Sequence, residues 1–165
     1  MNMALLIIDM QKAYYKNYDK ESMDQAVEYI NYSVDLFRKN NNKIIWIQDE
    51  DKENGIIRET EGFEIINILK QKNNEKIIIK EYNNAFNKTE LYDYLIKEKI
   101  DTIIITGYCA EYCVLSTYRG AKDKDLMPII LRNAIASGNK KHLKFVENIC
   151  DIITINVLEK IINKE

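Results

Sequence analysis

A single proline and five glycines in 165 residues leave no stretch with the composition of a flexible linker or disordered tail, which are rich in those residues. No apolar run approaches the ~20 residues a helix needs to cross a bilayer. The first such run, Met3 to Ile8, is closed at once by Asp9, too short for an export signal. Only three cysteines occur, Cys109, Cys113 and Cys150; the number is odd and no zinc-type pairing of motifs is present. With 24 basic and 26 acidic residues scattered along the chain, there is no basic stripe for nucleic acid. The expectation is one soluble cytoplasmic domain over 1–165, with no nucleic-acid or membrane partner and a core large enough to need no staple.

What the sequence does contain is alternation. Continuous apolar runs at Ala4–Ile8, Lys43–Gln48, Lys76–Ile79, Thr102–Thr106, Leu126–Leu131 and Ile152–Ile155 predict buried strands. Between them, helical spacing of apolar residues predicts helices over Ser22–Lys39, Phe63–Lys70, Leu91–Lys97, Lys140–Ile149 and at the C-terminal end. Asp19 or Ser22, and Asn87 or Thr89, are candidate caps. The acidic stretch Asp49–Thr60 has no period and reads as a loop, a candidate lid. Strand–helix alternation from end to end predicts an α/β sandwich with a mainly parallel sheet of six strands and right-handed crossovers. Parallel strands put their carboxyl ends on one edge, which brings Asp9, Asp49, Lys80 and the turn before Cys113 to a common crevice.

The stretch Asp101–Asp123 is the centre of this pattern: a β-branched strand, an interruption at Gly107, then helical spacing from about Cys113. A thiol at the first turn of a helix faces unpaired N–H groups and the positive end of the helix dipole. Cys113 is thus either buried filler, as most cysteines are, or a nucleophile at a strand end. Asp9 and Lys80 likewise are either a strand-end cap and a surface lysine or partners. Inside a dry crevice each needs the other, and beside a thiol the ammonium stabilises thiolate while the carboxylate takes its proton.

Three segments carry a family resemblance. A-L-L-I-I-D-M-Q (Ala4 to Gln11), I-I-I-K-E-Y-N-N-A-F (Ile77 to Phe86) and I-I-T-G-Y-C-A-E-Y-C-V-L-S-T (Ile104 to Thr117) resemble the aspartate, lysine and cysteine motifs of the isochorismatase-like cysteine hydrolases. That family includes nicotinamidases and related small-amide hydrolases. The resemblance covers nearly the whole chain and implies a three-layer α/β/α, Rossmann-like fold with Asp9, Lys80 and Cys113 as catalytic triad. It further implies a cis peptide at Tyr108–Cys109, an oxyanion hole from the N–H groups of Cys109 and Cys113, and a thioester intermediate in hydrolysis of a small molecule. In the isochorismatase branch proper the bond broken is an enol ether rather than an amide.

Departures from the family pattern bear on the pocket. The nicotinamidase branch has histidines with an aspartate after its second strand, where this chain has Gln48-Asp49-Glu50-Asp51 and its only histidine is His142; no metal or other cofactor is expected. Ala110 and Asn133 replace residues that are often threonine and aspartate. Tyr14, Gln11, Tyr82, Phe86, Tyr108 and Tyr112 are the expected substrate-binding residues, whereas Trp46 reads as core. The short segment between Asp49 and Lys80 implies a pocket wall from a second subunit, hence a homo-oligomer. Two rival classes stay open. A receiver-like signalling domain also places an aspartate and a lysine at strand ends, although Met10 and Gln11 stand where it needs a second acid. A non-catalytic family member would serve as a binding module. A papain-type pairing of Cys113 with His142 is disfavoured, because His142 lies in a lysine-rich segment expected to be solvated.

Overall fold

The computed structural model describes residues 2–163, the side chain of Tyr18 excepted. Among these residues six strands and five α-helices alternate: β1 (Met3–Ile8), α1 (Asn17–Lys39), β2 (Lys43–Asp49), β3 (Lys76–Lys80), α2 (Leu91–Lys97), β4 (Thr102–Tyr108), α3 (Leu115–Lys122), β5 (Met127–Ala136), α4 (Lys140–Ile149), β6 (Ile152–Ile153) and α5 (Ile155–Ile162). They form one sheet in the order β3-β2-β1-β4-β5-β6. Every pairing is parallel, so the sheet is wholly rather than mainly parallel.

The two-residue period of a strand sorts the core into two halves. From β1, Leu5 and Ile7 join Trp46, Ile104 and Leu131 under α1 and α5, while Ala4, Leu6 and Ile8 join Ile45, Ile103 and Ile105 under α2, α3 and α4. Apolar residues on both faces are what a central parallel strand requires, which is why these runs show no alternation. On α1, Met23, Ala26, Ile30, Val34 and Phe37 are buried and recur at helical spacing against the sheet.

The structure corrects or resolves several local expectations. Phe63–Lys70 is not a helix: a short 3-10 turn spans Glu61–Phe63, and the chain then runs as a strap beside the exit of β1. Lys12 donates its N–H to the Glu64 carbonyl (2.9 Å) and Ile66 donates to the Met10 carbonyl (3.0 Å). Tertiary hydrogen bonds and the burial of Ile66 and Leu69 override a weak local preference in so short a segment. Helix α1 begins at Asn17 rather than Ser22 and has no side-chain cap; the Ser22 hydroxyl instead accepts the Ser137 N–H, 3.0 Å away. Of the two candidate caps before α2, Thr89 and not Asn87 meets the helix start, its Oγ1 accepting from the Leu91 N–H (3.3 Å). Strand β5 also runs on to Ala136, past a register shift opposite Ile105–Gly107.

Candidate active site

Sheet order decides which strand ends meet. Lys80 closes β3, Asp49 closes β2, Asp9 follows β1 and Tyr108 closes β4, and these four strands are consecutive in the sheet. Asp49 and Lys80 are register partners. Asp9 turns away from the strand at φ 49°, a left-handed conformation that aspartate tolerates better than most residues. Gly107, at φ 111°, sits where β4 crosses the tip of β1; any Cβ there would lie 2.1 Å from the Ile8 carbonyl oxygen. Only glycine allows that approach.

Strands are ~4.8 Å apart, so Lys80 must reach across β2 to meet Asp9. Its buried Nζ lies 2.8 Å from Asp9 Oδ2 and 2.7 Å from Asp49 Oδ1, and it donates to Cys113 Sγ at 3.4 Å. The sulfur is delivered from the other side. Past the cis Tyr108–Cys109 bond the chain makes a π-helical turn over Ala110–Val114 before α3 begins, not the α-helical start expected near Cys113. The Cys109 carbonyl accepts the N–H groups of Tyr112 and Val114, both at 3.1 Å, passing over the N–H of Cys113 between them. Ala110 and Val114 are held in the core, which leaves Cys113 half-buried on the crevice side.

Electrostatics follow from burial. Asp9 is pushed up to about 6, chiefly by desolvation; Lys80 pulls it down and the charge of Asp49 pushes it up. Both Asp9 oxygens are sealed from solvent; Oδ2 faces the Lys80 ammonium, and the remaining lone pairs can take a proton. Lys80 is raised despite its burial, because the carboxylate charges of Asp9 and Asp49 face it. Burial pushes the Cys113 thiol well above its ordinary range; the Asp9 charge adds to this and Lys80 opposes it. The resting group is therefore a thiol beside a carboxylate, rather than the standing thiolate that a helix terminus alone suggests.

The expected pocket residues fall into three groups. Tyr14 and Tyr108 stack with ring centroids 5.2 Å apart, the Tyr14 hydroxyl donating to Asp49 Oδ2 (2.7 Å) and that of Tyr108 to Asp19 Oδ1 (3.2 Å). Phe86 is buried in the core and Tyr82 and Tyr112 are exposed, with Lys88 donating to the Tyr82 hydroxyl at 2.9 Å. Gln11 is fully buried. Its amide clamps the Asp49 backbone in both directions (2.7 and 3.0 Å) and donates to the Phe63 carbonyl (3.0 Å), so it buttresses β1 against β2 instead of facing the crevice. Two residues at the site were not anticipated as site residues. Asp49 was visible as a strand-end acid, but the register that pairs it with Lys80 was not. Asn83, whose Oδ1 lies 3.6 Å from Cys113 Sγ, carries no sequence signal.

The second cysteine of the turn has a different neighbourhood. Cys109 is pushed up to about 12, first by burial and then by Glu111, to which its thiol donates at 3.0 Å. Glu111 also takes the Ser137 hydroxyl (3.1 Å) and bonds to His142 Nδ1. His142 is thus tied to a carboxylate and only half-exposed, a correction to its reading as solvated; it partners Glu111 and not Cys113. The acids after β2 diverge as well. Asp49 holds Lys80 and Tyr14, Glu50 pairs with Arg58 at 3.2 Å, and Asp51 accepts from Asn54 (2.7 Å). With an ammonium seated against Asp49 and the histidine engaged elsewhere, these residues do not fit a metal site of the nicotinamidase kind.

A model of the Isochorismatase domain matches residues 3–152. The chain belongs to the isochorismatase family. The isochorismatase family protein YrdC of Bacillus subtilis (strain 168) is 32% identical over 137 residues, covering 81% of this chain and 73% of that protein. An isochorismatase-like hydrolase from Alkaliphilus metalliredigens superposes with a TM-score of 0.89 at 22% identity, covering 98% of this chain and 99% of that one. The nicotinamidase PncA of Bacillus subtilis does so with a TM-score of 0.78 at 24% identity, covering 90% and 93%. These two share the isochorismatase-like hydrolase fold with this chain. The sheet order also separates this family member from receiver-like domains, whose order is 2-1-3-4-5, since β1 here lies between β2 and β4. No helix among the described residues is long and apolar enough to cross a membrane.

Proposed function

We propose that this isochorismatase-family protein is a cysteine hydrolase that cleaves the C–N bond of a small uncharged amide, with Cys113 as nucleophile, Asp9 as proton carrier and Lys80 as their common electrostatic partner. The observation that carries the assignment is one buried ammonium in contact with both the Asp9 carboxylate and the Cys113 sulfur. Cys113 passes its proton to Asp9 as sulfur attacks the carbonyl carbon, so no stable thiolate is needed. The N–H groups of Cys109 and Cys113 receive the oxyanion, each such donor being worth roughly 3 kcal/mol. Collapse breaks the C–N bond, and the departing nitrogen takes the proton from Asp9, leaving a thioester. Asp9, again a carboxylate, takes a proton from water as the water attacks the thioester; the acid leaves and the proton returns to Cys113.

An ammonium already shared by two carboxylates leaves the crevice short of free positive charge, which favours an uncharged amide over the anionic enol ether of the isochorismatase branch. The stacked Tyr14–Tyr108 wall suits a small flat substrate. The exposed rings of Tyr82 and Tyr112 offer the surface on which a second copy would close the site, and three free cysteines suit a reducing cytoplasm. The test is ammonia release across a panel of small carboxamides and ureides. Wild-type protein is expected to turn over at least one, and Cys113→Ala to lose it by at least a thousandfold; full turnover by Cys113→Ala would refute the scheme.

A further inference from the structure

We propose that Asp49 is a positioning residue of this site: it holds the Lys80 ammonium over β2, midway on its path to Asp9, and keeps the cluster negative, so that the Cys113 proton goes to Asp9 and not to solvent. The role extends the hydrolase reading above, and its charge effect on the thiol can be read without any substrate.

Geometry supports it at four points. Asp49 is the register partner of Lys80 on the strand that separates Lys80 from Asp9. One of its carboxylate oxygens is 2.7 Å from Lys80 Nζ and the other accepts the Tyr14 hydroxyl at 2.7 Å, so the carboxylate cannot swing aside. Its backbone N–H and carbonyl are both bound to the Gln11 amide (2.7 and 3.0 Å). A flexible lysine spanning two strand spacings would otherwise sample many rotamers.

Charge follows from the same contacts. The groups facing one another are Asp9 after β1, Asp49 on β2, Lys80 on β3, Tyr14 from the turn beyond Asp9 and Cys113 from the π-helical turn. Two carboxylates against one ammonium leave one negative charge. A thiol that released its proton to solvent would add a second, whereas transfer of that proton to Asp9 leaves the sum unchanged. The Asp49 charge accordingly raises both Asp9 and Cys113. Asp49 makes the proton transfer internal.

The experiment is the pH dependence of Cys113 alkylation by iodoacetamide, read beside carboxamide turnover, in wild type, Asp49→Asn, Asp49→Ser and Asp49→Glu. Removing the charge should move the alkylation profile about one pH unit lower, about tenfold faster at pH 7.5, while turnover falls about tenfold because Lys80 loses its clamp. Asp49→Glu, which restores the charge, should return the alkylation profile to that of wild type. The serine variant carries the same test if the asparagine variant does not fold. Opposite changes in alkylation and turnover are not what general loosening of the site would produce. An alkylation profile that stays in place in the neutral variants would overturn the proposal. Failure of the whole carboxamide panel with a shifted alkylation profile would instead count against the amide reading and leave Asp49 in its role.

Discussion

Cys109 and Cys113 lie four residues apart in one turn, and burial raises both thiols; acidity at rest does not tell them apart. What differs is where a proton can go. Cys109 donates to Glu111, a carboxylate held below its usual range because hydrogen bonds from Cys109, His142 and Ser137 outweigh its burial. Such a group is a poor proton acceptor. Cys113 shares an ammonium with Asp9, a carboxylate raised to about 6 and sealed from solvent. A carboxylate in that range is ionised at neutral pH yet basic enough to accept a proton. On the proposed reading, what marks Cys113 as the reactive cysteine is the carboxylate beside it and the cation that holds that carboxylate, more than its own place at a helix start.

The sharpest way to break the comparison is to exchange the roles by mutation. Cys113→Ala should abolish carboxamide turnover, and Cys109→Ser should keep it within about threefold, since the oxyanion role proposed for Cys109 uses only its backbone N–H. Equal losses in the two variants, measured by ammonia release, would erase the distinction. Lys80 comes next. Lys80→Met leaves two carboxylates facing each other in a dry site, and breaking a buried ion pair on one side costs about 3–5 kcal/mol. Urea unfolding at pH 8 should show that loss, and at pH 5, where Asp9 is protonated, the loss should shrink.

Asp9 gives the third prediction, on pH. Activity should fall as pH drops through about 6, when the base is protonated. Stability has the opposite sign: a carboxyl raised from 3.8 to about 6 in the fold favours folding below pH 4 and loses that contribution as pH rises through 6. Asp9→Asn should therefore lose turnover yet gain about 1 kcal/mol of stability at pH 8, and show no gain at pH 4. A variant less stable than wild type at pH 8 would mean that Asp9 is held by contacts stronger than its burial penalty.

Much of this was legible in the residues. Unbroken β-branched runs such as Ile103–Ile105 between turn signals read as strands buried on both faces, and each strand end then falls on one edge, which brings Asp9 and Lys80 together from the residues alone. The register did not follow, because a parallel sheet can be ordered in several ways and each order gives a different neighbour to Lys80. The residues therefore bring Asp49 to the common crevice as a strand-end acid without making it the partner of the lysine. Gln11 was read as a pocket residue from its place in a motif, but an amide can also serve as a backbone clamp, and only the position of Asp49 decides between the two. The strap after Glu61 differs from its expectation for a related reason: apolar spacing of three fits a helix, yet Phe63 offers its carbonyl to Gln11 and Gln48, and that tie takes the chain away from helical pairing.

The smallest expected effect concerns the other cysteine's network. Glu111 gathers Cys109, Ser137 and His142, joining the turn after β4 to the start of α4, while Ser137 is tied to α1 through Ser22. Glu111→Gln keeps the shape and some hydrogen bonds, so it should cost about 1 kcal/mol, a fall in Tm of roughly 3 °C for a chain of this size. His142→Ala removes a half-exposed partner and should cost less than about 1 kcal/mol. Both variants should keep turnover within about threefold and leave the pH at which Cys113 alkylates unchanged, because neither touches Asp9 or Lys80. A hundredfold loss of turnover in a folded Glu111→Gln protein would mean that the two cysteine neighbourhoods act as one, with the Cys109 side setting the position of the oxyanion donors on which Cys113 depends.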